Sequence, residues 1–170
     1  MTPTRRMILG WGGGIAALCL LPPARAAAGL VEIAMAGRSD GSLVWFDPIG
    51  LRIEPGQTVR WTNRDRGNSH TATAYHPANA GHALRIPAAA QPWDSGYLLP
   101  DQSFSVTLTE PGVYDYYCRP HEHAGMVGRI IVGDPGTSAA VLAEDGVPEA
   151  ALRAFPSVAA ILAEGIVRPG

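Results

Sequence analysis

The sequence predicts an all-β protein, a Greek-key β-sandwich or barrel carrying short helices at its C-terminal end. Three features predict it. Glycine (20) and proline (15) make up 35 of 170 residues, a turn-rich composition. From Ala28 to Gly133, short runs of β-forming residues alternate with turn signals, the rhythm of an antiparallel sandwich. After Gly136 the chain becomes Ala- and Leu-rich, with Pro and Ser where helices start. The length suits one compact domain with a buried core.

The first residues are an address. Arg5 and Arg6 precede an apolar run from Met7 to Leu21, which Pro22-Pro23 ends before the small-residue pattern Ala24-Arg25-Ala26. The run is shorter than the roughly 18 residues of a membrane span, and Gly12-Gly13-Gly14 interrupts it. The head resembles the twin-arginine export signal. Residues 1–26 are therefore expected to direct export to the periplasm and be removed, with no stable membrane insertion afterwards. Cleavage takes away Arg5, Arg6, Arg25 and no acid, which moves the net charge from −2 to −5. It also takes Cys19, leaving Cys118 as a single thiol in an oxidising compartment, where it has no partner within the chain.

The strands follow in order. Leu30–Met35 and Ser42–Phe46 are rich in β-formers, and Leu51–Glu54 alternates into the turn Pro55-Gly56-Gln57. Thr58–Thr62 alternates again, and after a polar loop His70–Tyr75 reads as a strand. Ser103–Thr109 places Phe104, Val106 and Leu108 on one face. Glu110-Pro111-Gly112 turns the chain into Val113–Cys118, and Val127–Val132 completes the set. Trp45, Trp61, Tyr114 and Tyr116 lie on these strands and are expected in the core. The connection His76–Pro100 is too long for an ordinary turn; it is expected to pack on the sandwich, with Trp93, Asp94 and Tyr97 placed to border its functional end. Helices are expected over Ser138–Glu144, Glu149–Phe155 and Val158–Glu164, the last capped by Ser157. The division is thus 1–26 signal, 27–134 β domain, 135–170 helical extension.

Chemistry concentrates after the last aromatic strand. Cys118-Arg119-Pro120-His121-Glu122-His123-Ala124-Gly125-Met126 offers a thiolate, an imidazole and a thioether as C-x2-H-x4-M. Another imidazole, His70, stands at the mouth of a different strand, and a Greek key brings two such places to one end. Two His, one Cys and a weak axial Met form the ligand set of a mononuclear blue-copper electron-transfer centre. His123 competes with His121, but only His121 gives both spacings. His76 and His82 compete with His70, whose position after Asn68-Ser69 and before a strand favours it. One cysteine excludes a two-cysteine binuclear site. No third orienting group or nucleophile motif points to a Cys–His hydrolase, and no basic excess points to nucleic acid.

PGVYDYYCRPHEHAGMVGRIIV (111–132), IEPGQTVRWTN (53–63) and NSH (68–70) resemble the plastocyanin/pseudoazurin type of cupredoxin. The resemblance covers residues 30–134, and helices opening at VGDP are a pseudoazurin feature. It implies a cupredoxin-like fold and one copper per chain on His70, Cys118, His121 and Met126. It further implies a monomeric electron carrier rather than an enzyme, with redox partners of the cytochrome or copper/haem reductase class and electron exit at His121. Copper storage or delivery is the alternative role, mildly favoured by His76, His82 and His123. Many relatives bridge the two ligand loops with Asn and Ser or Thr; Thr71 and Arg119 stand there instead, so that side-chain bond is not implied.

Overall fold

The computed structural model describes residues 29–136 and 142–170. The expected export signal, and residues 138–141 of the first expected helix, lie outside them. The elements are β1 (Leu30–Gly37), β2 (Val44–Asp47), β3 (Gly50–Ile53), β4 (Gln57–Asn63), β5 (Thr73–Ala74), β6 (Ser103–Leu108), β7 (Gly112–Tyr117), β8 (Val127–Val132), α1 (Glu149–Ala154), α2 (Val158–Glu164) and β9 (Ile166–Val167). They form a four-stranded sheet, β2-β1-β4-β6, and a five-stranded sheet, β5-β7-β8-β3-β9. β1–β4 and β3–β8 pair in parallel, and every other pair is antiparallel. The arrangement is a sandwich of two open, mixed sheets and not a closed barrel.

Period-two alternation builds the core. Ile33 and Met35 of β1, Phe46 of β2, and Val59 and Trp61 of β4 turn inward and are fully buried. From the other sheet Tyr114, Tyr116, Ile130 and Val132 meet them. Trp61 contacts Tyr116 edge-on, with ring centroids 5.2 Å apart. Trp45, expected in this core, is half-buried instead, because Val44 and Phe46 take the inward positions on either side of it.

β7 and β8 are buried along both faces at all six positions of each. Their outer face carries Asp115 opposite Arg129 in register. Arg85, from the long connection, closes on the same carboxylate. Arg85 Nη2 and Arg129 Nε lie 2.7 Å from Asp115 oxygens, and all three side chains are buried. Both guanidiniums lie over the Phe155 ring, each 5.0 Å from its centroid. Arg129 also donates to Pro156 O and Arg85 to Ala143 O. Tyr75, Tyr117, Val127, Val147 and Ala151 pack around this cluster as a second apolar core. Two arginines thus fasten the C-terminal segment to the sandwich.

That segment is also part of the sheet, since β9 pairs with β3. α2 begins and ends on local signals: Ser157 Oγ accepts from Ala160 N–H at 3.1 Å, and Gly165 closes the helix at φ 75°. Its Ile161 is fully buried over β3, which Gly50 permits: a Cβ there would lie 2.8 Å from Ile161. Residues 142–144 of the first expected helix are irregular, and the carbonyl of Ala143 is taken by Arg85 rather than by a helical N–H. The expected strand His70–Tyr75 shrinks to two residues. The long connection supplies its remaining partners, His70 bridging to Leu98 and Thr73 to Asp94.

Replacing Asp115 by Ala leaves two guanidiniums buried without a counter-charge. Urea unfolding is expected to show a loss of about 3–5 kcal/mol. A loss under about 1 kcal/mol would mean that water reaches the arginines and the triad does not hold the segment.

Candidate metal centre

The C-terminal end of β7 delivers Cys118 into a short loop before β8. Three backbone bonds close that loop: His121 N–H to Cys118 O (2.9 Å), Cys118 N–H to Met126 O (3.0 Å) and Met126 N–H to His121 O (3.1 Å). A 3-10 turn, Glu122–Ala124, fills the middle, and Gly125 ends it in the left-handed region at φ 83°. An isolated bridge to Leu98, just ahead of β5, brings His70 to the same place. Ligand atoms of His70, Cys118 and His121 all lie within 4.8 Å of one another. Cys118 Sγ is 3.5 Å from His70 Nδ1 and 3.4 Å from His121 Nδ1. Cys118, His70 and Met126 are fully buried, and His121 is half-buried. Met126 is fixed to both Cys118 and His121 through its backbone.

Burial sets the protonation states. It pushes the Cys118 thiol up to about 11, although N–H groups of Thr71 and His121 pull the other way. It also pulls both imidazoles below their ordinary value; for His70 the Asp65 carboxylate opposes this, and for His121 the neighbouring His70 adds to it. The imidazoles are neutral at pH 7 and their lone pairs are available. The thiol is a latent thiolate, released when a cation replaces its proton.

A second ring of contacts holds the donors. His70 Nε2 lies 3.1 Å from the buried carboxylate of Asp65. Burial alone would raise that carboxyl, but hydrogen bonds from Asn68, Gly67 and His70 outweigh it and leave it below the ordinary carboxylate range. Asn63 Nδ2 donates to Asn68 O and to Leu98 O, and Leu98 exchanges both backbone bonds with His70. Thr71 N–H donates to Cys118 Sγ at 3.3 Å. Arg119 N–H donates to Thr71 Oγ1 at 2.9 Å, and Thr71 Oγ1 lies 2.9 Å from Thr73 Oγ1. The two ligand loops are therefore tied together although Asn and Ser are absent; the bond runs from backbone to hydroxyl.

The remaining histidines stand apart from this centre. His76 Nδ1 accepts from Ala78 N–H, and His123 is exposed. His82 packs against Tyr117 and lies 3.7 Å from Glu122. Among the described residues, His70, Cys118 and His121 form the one group of His, Cys, Asp or Glu placed to hold a metal. The long connection packs on the sandwich through Ile86 and Trp93 and borders the centre through Leu98, leaving Tyr97 and Leu99 exposed. Sequence reasoning missed Asp65 and Glu122. Glu122 is buried in the ligand loop, where Tyr75 donates to it at 2.7 Å. For Asp65 the signal was the polar run Asn63–Asn68, whose Asn, Asp and Gly residues favour turns made by side chains on backbone.

Residues 32–133 match the family described as copper binding proteins, plastocyanin/azurin family. The chain belongs to this family. It is 32% identical to a chloroplastic plastocyanin of Oryza sativa subsp. indica over 75% of this chain and 80% of that protein. It is 31% identical to a pseudoazurin of Paracoccus pantotrophus over 61% of this chain, spanning 63% of that protein. Among solved structures it resembles the pseudoazurin from Sinorhizobium meliloti, with a TM-score of 0.54 and 26% identity, covering 74% of this chain and 89% of that one. The chain is a cupredoxin, its cofactor is copper, and the family carries electrons between redox partners. The donor chemistry fits the metal: copper(I) prefers sulfur and copper(II) nitrogen, and this centre offers both from rigid positions.

Two outcomes follow from these contacts. Thr71→Val removes the acceptor of the Arg119 N–H and is expected to lower the urea stability of the metal-free protein by about 1–3 kcal/mol. An unchanged midpoint would show that water replaces the hydroxyl. Both imidazoles titrate lower in the folded than in the unfolded chain, so the unfolded chain takes up protons first as acid is added. Metal-free protein should therefore lose stability as the pH falls through about 6.5, read as a lower urea midpoint at about pH 5.5 than at about pH 7.5. Equal midpoints would contradict the lowered imidazole values.

Proposed function

We propose that this cupredoxin is a periplasmic one-electron carrier whose copper ligands are His70, Cys118, His121 and Met126. The observation that carries the reading is the convergence of the Nδ1 atoms of His70 and His121 on Cys118 Sγ, at 3.5 and 3.4 Å. Bound copper supplies a Cu(I)/Cu(II) couple. Everything else is the work of the chain. Cys118 would provide the anionic sulfur, His70 and His121 neutral nitrogens, and Met126 a weak thioether that would tune the couple. The backbone bonds that close the ligand loop hold Cys118, His121 and Met126, while Leu98 and Asp65 hold His70, so these donors would need to move little on electron transfer.

His121 is the half-buried member of an otherwise buried set, which supports electron exchange through its edge. The partner is a redox protein of the cytochrome or copper/haem reductase class, and the carrier acts as a monomer. Residues 1–26 serve as a twin-arginine-type export signal, 27–134 as the cupredoxin domain and 135–170 as its helical extension. No helix among the described residues is long and apolar enough to cross a membrane.

Copper(II) added to purified metal-free protein is expected to produce an intense thiolate-to-copper charge-transfer band. Cys118→Ala should abolish the band in a folded protein, and His123→Ala should leave it intact. A folded wild type without the band, or a band that survives loss of Cys118, would refute the ligand set.

A further inference from the structure

We propose that Asp65 is a positioning residue for the copper centre: its buried carboxylate fixes the tautomer and tilt of His70 and, through that imidazole, favours the oxidised form. The inference deepens the ligand assignment above and rests on it. Asp65 Oδ2 lies 3.1 Å from His70 Nε2, the ring nitrogen opposite the one that faces Cys118 Sγ. A carboxylate accepts hydrogen bonds and cannot donate them. The hydrogen therefore sits on Nε2, and the Nδ1 lone pair points to the cluster.

The chain builds a seat for this carboxylate. Gly67 N–H and Asn68 Nδ2 each donate to it at 2.8 Å, so three donors converge on a side chain that is 5% exposed. Its own N–H donates to Asn63 Oδ1 at 2.9 Å. On β1, Gly37 leaves the space open: a Cβ there would lie 2.1 Å from Asp65 Oδ2. Glycine inside a strand weakens it, and here its place is filled by the carboxylate behind His70.

Charge completes the argument. The thiolate of Cys118 and the carboxylate of Asp65 put two negative charges in a buried region. A cupric ion balances both, and a cuprous ion leaves one in excess, which is costly where the dielectric is low. An imidazole hydrogen-bonded to a carboxylate is also the stronger base. Both effects favour copper(II).

Asp65→Asn keeps the shape and one acceptor oxygen while removing the charge; Gly37→Ala keeps every polar group and displaces the carboxylate. Both proteins are expected to bind copper with the charge-transfer band present. In Asp65→Asn the Cu(I)/Cu(II) ratio at a fixed poise should rise about tenfold, an upward shift of about 59 mV. Copper(II) affinity should fall about tenfold in both. Nitrogen-15 imidazole NMR of the metal-free wild type should find the His70 proton on Nε2. A proton on Nδ1, or an unchanged midpoint potential in folded Asp65→Asn, overturns the proposal. The tautomer measurement needs neither variant nor copper. A missing band in the wild type would defeat the ligand assignment while the tautomer result still decided the role of Asp65.

Discussion

The antiparallel pair β7–β8 is buried on both faces, and the rest of the molecule is arranged around that constraint. One face can be covered by the opposite sheet, as in any sandwich. Covering the other needs extra chain, which Arg85 of the long connection and the segment from Val147 to Phe155 provide. Because Asp115 and Arg129 stand opposite each other on that outer face, covering it buries charge. Arg85 and the ring of Phe155 complete the packing. The same pair carries the ligand loop at its end. Rigidity enforced on the strands by burial is thus passed to Cys118 and Met126, which sit one residue beyond β7 and one before β8.

Much of this was legible in the residues. Strand alternation located β1 to β8, since inward and outward positions differ in polarity, but β9 lies in the segment expected to be helical and pairs with β3 instead. The C-x2-H-x4-M spacing gave three donors that the closing loop brings together, and Ser157 marked the start of α2. The parts that were not legible depend on contacts between distant segments. His70–Tyr75 looks like a full strand, but the long connection occupies most of its edge. Residues 142–144 have helical composition, yet Arg85, nearly sixty positions away, takes a carbonyl that a helix would use. Trp45 is apolar and on a strand, and its two neighbours claim the core. Asp65 lies in a stretch that composition can mark only as a polar loop; that its carboxylate meets an imidazole depends on the path of the chain from β4 to β5.

The two imidazoles of the centre are not equivalent. His70 is fully buried, paired through its backbone with Leu98 and through its ring with Asp65. His121 is half-buried, in a loop whose other ring, His123, is exposed. Among the described residues, no ion pair joins the His121 ring to a carboxylate as Asp65 joins that of His70. A division of labour fits the difference. The inner histidine is locked by a second ring of contacts, and on the proposal above it governs how strongly the centre holds positive charge. The outer one is closer to solvent, which is what supports the proposed electron exchange through its edge.

Thr71 shows how the two halves of the centre are kept in register. It is the neighbour of His70, yet its N–H reaches Cys118 Sγ and its hydroxyl accepts from the residue after Cys118. A shift of either loop would therefore strain both a sulfur hydrogen bond and a backbone one at the fully buried Thr71 and Cys118, where an unmade bond is costly. An N–H aimed at the sulfur also stabilises the thiolate, which partly offsets the burial that pushes the thiol up. One residue thus couples geometry to charge: its hydroxyl holds the loop after Cys118, and its N–H meets the sulfur. What the fold requires at this point is an acceptor within reach of the Arg119 N–H, and the identity of the side chain that supplies it is secondary.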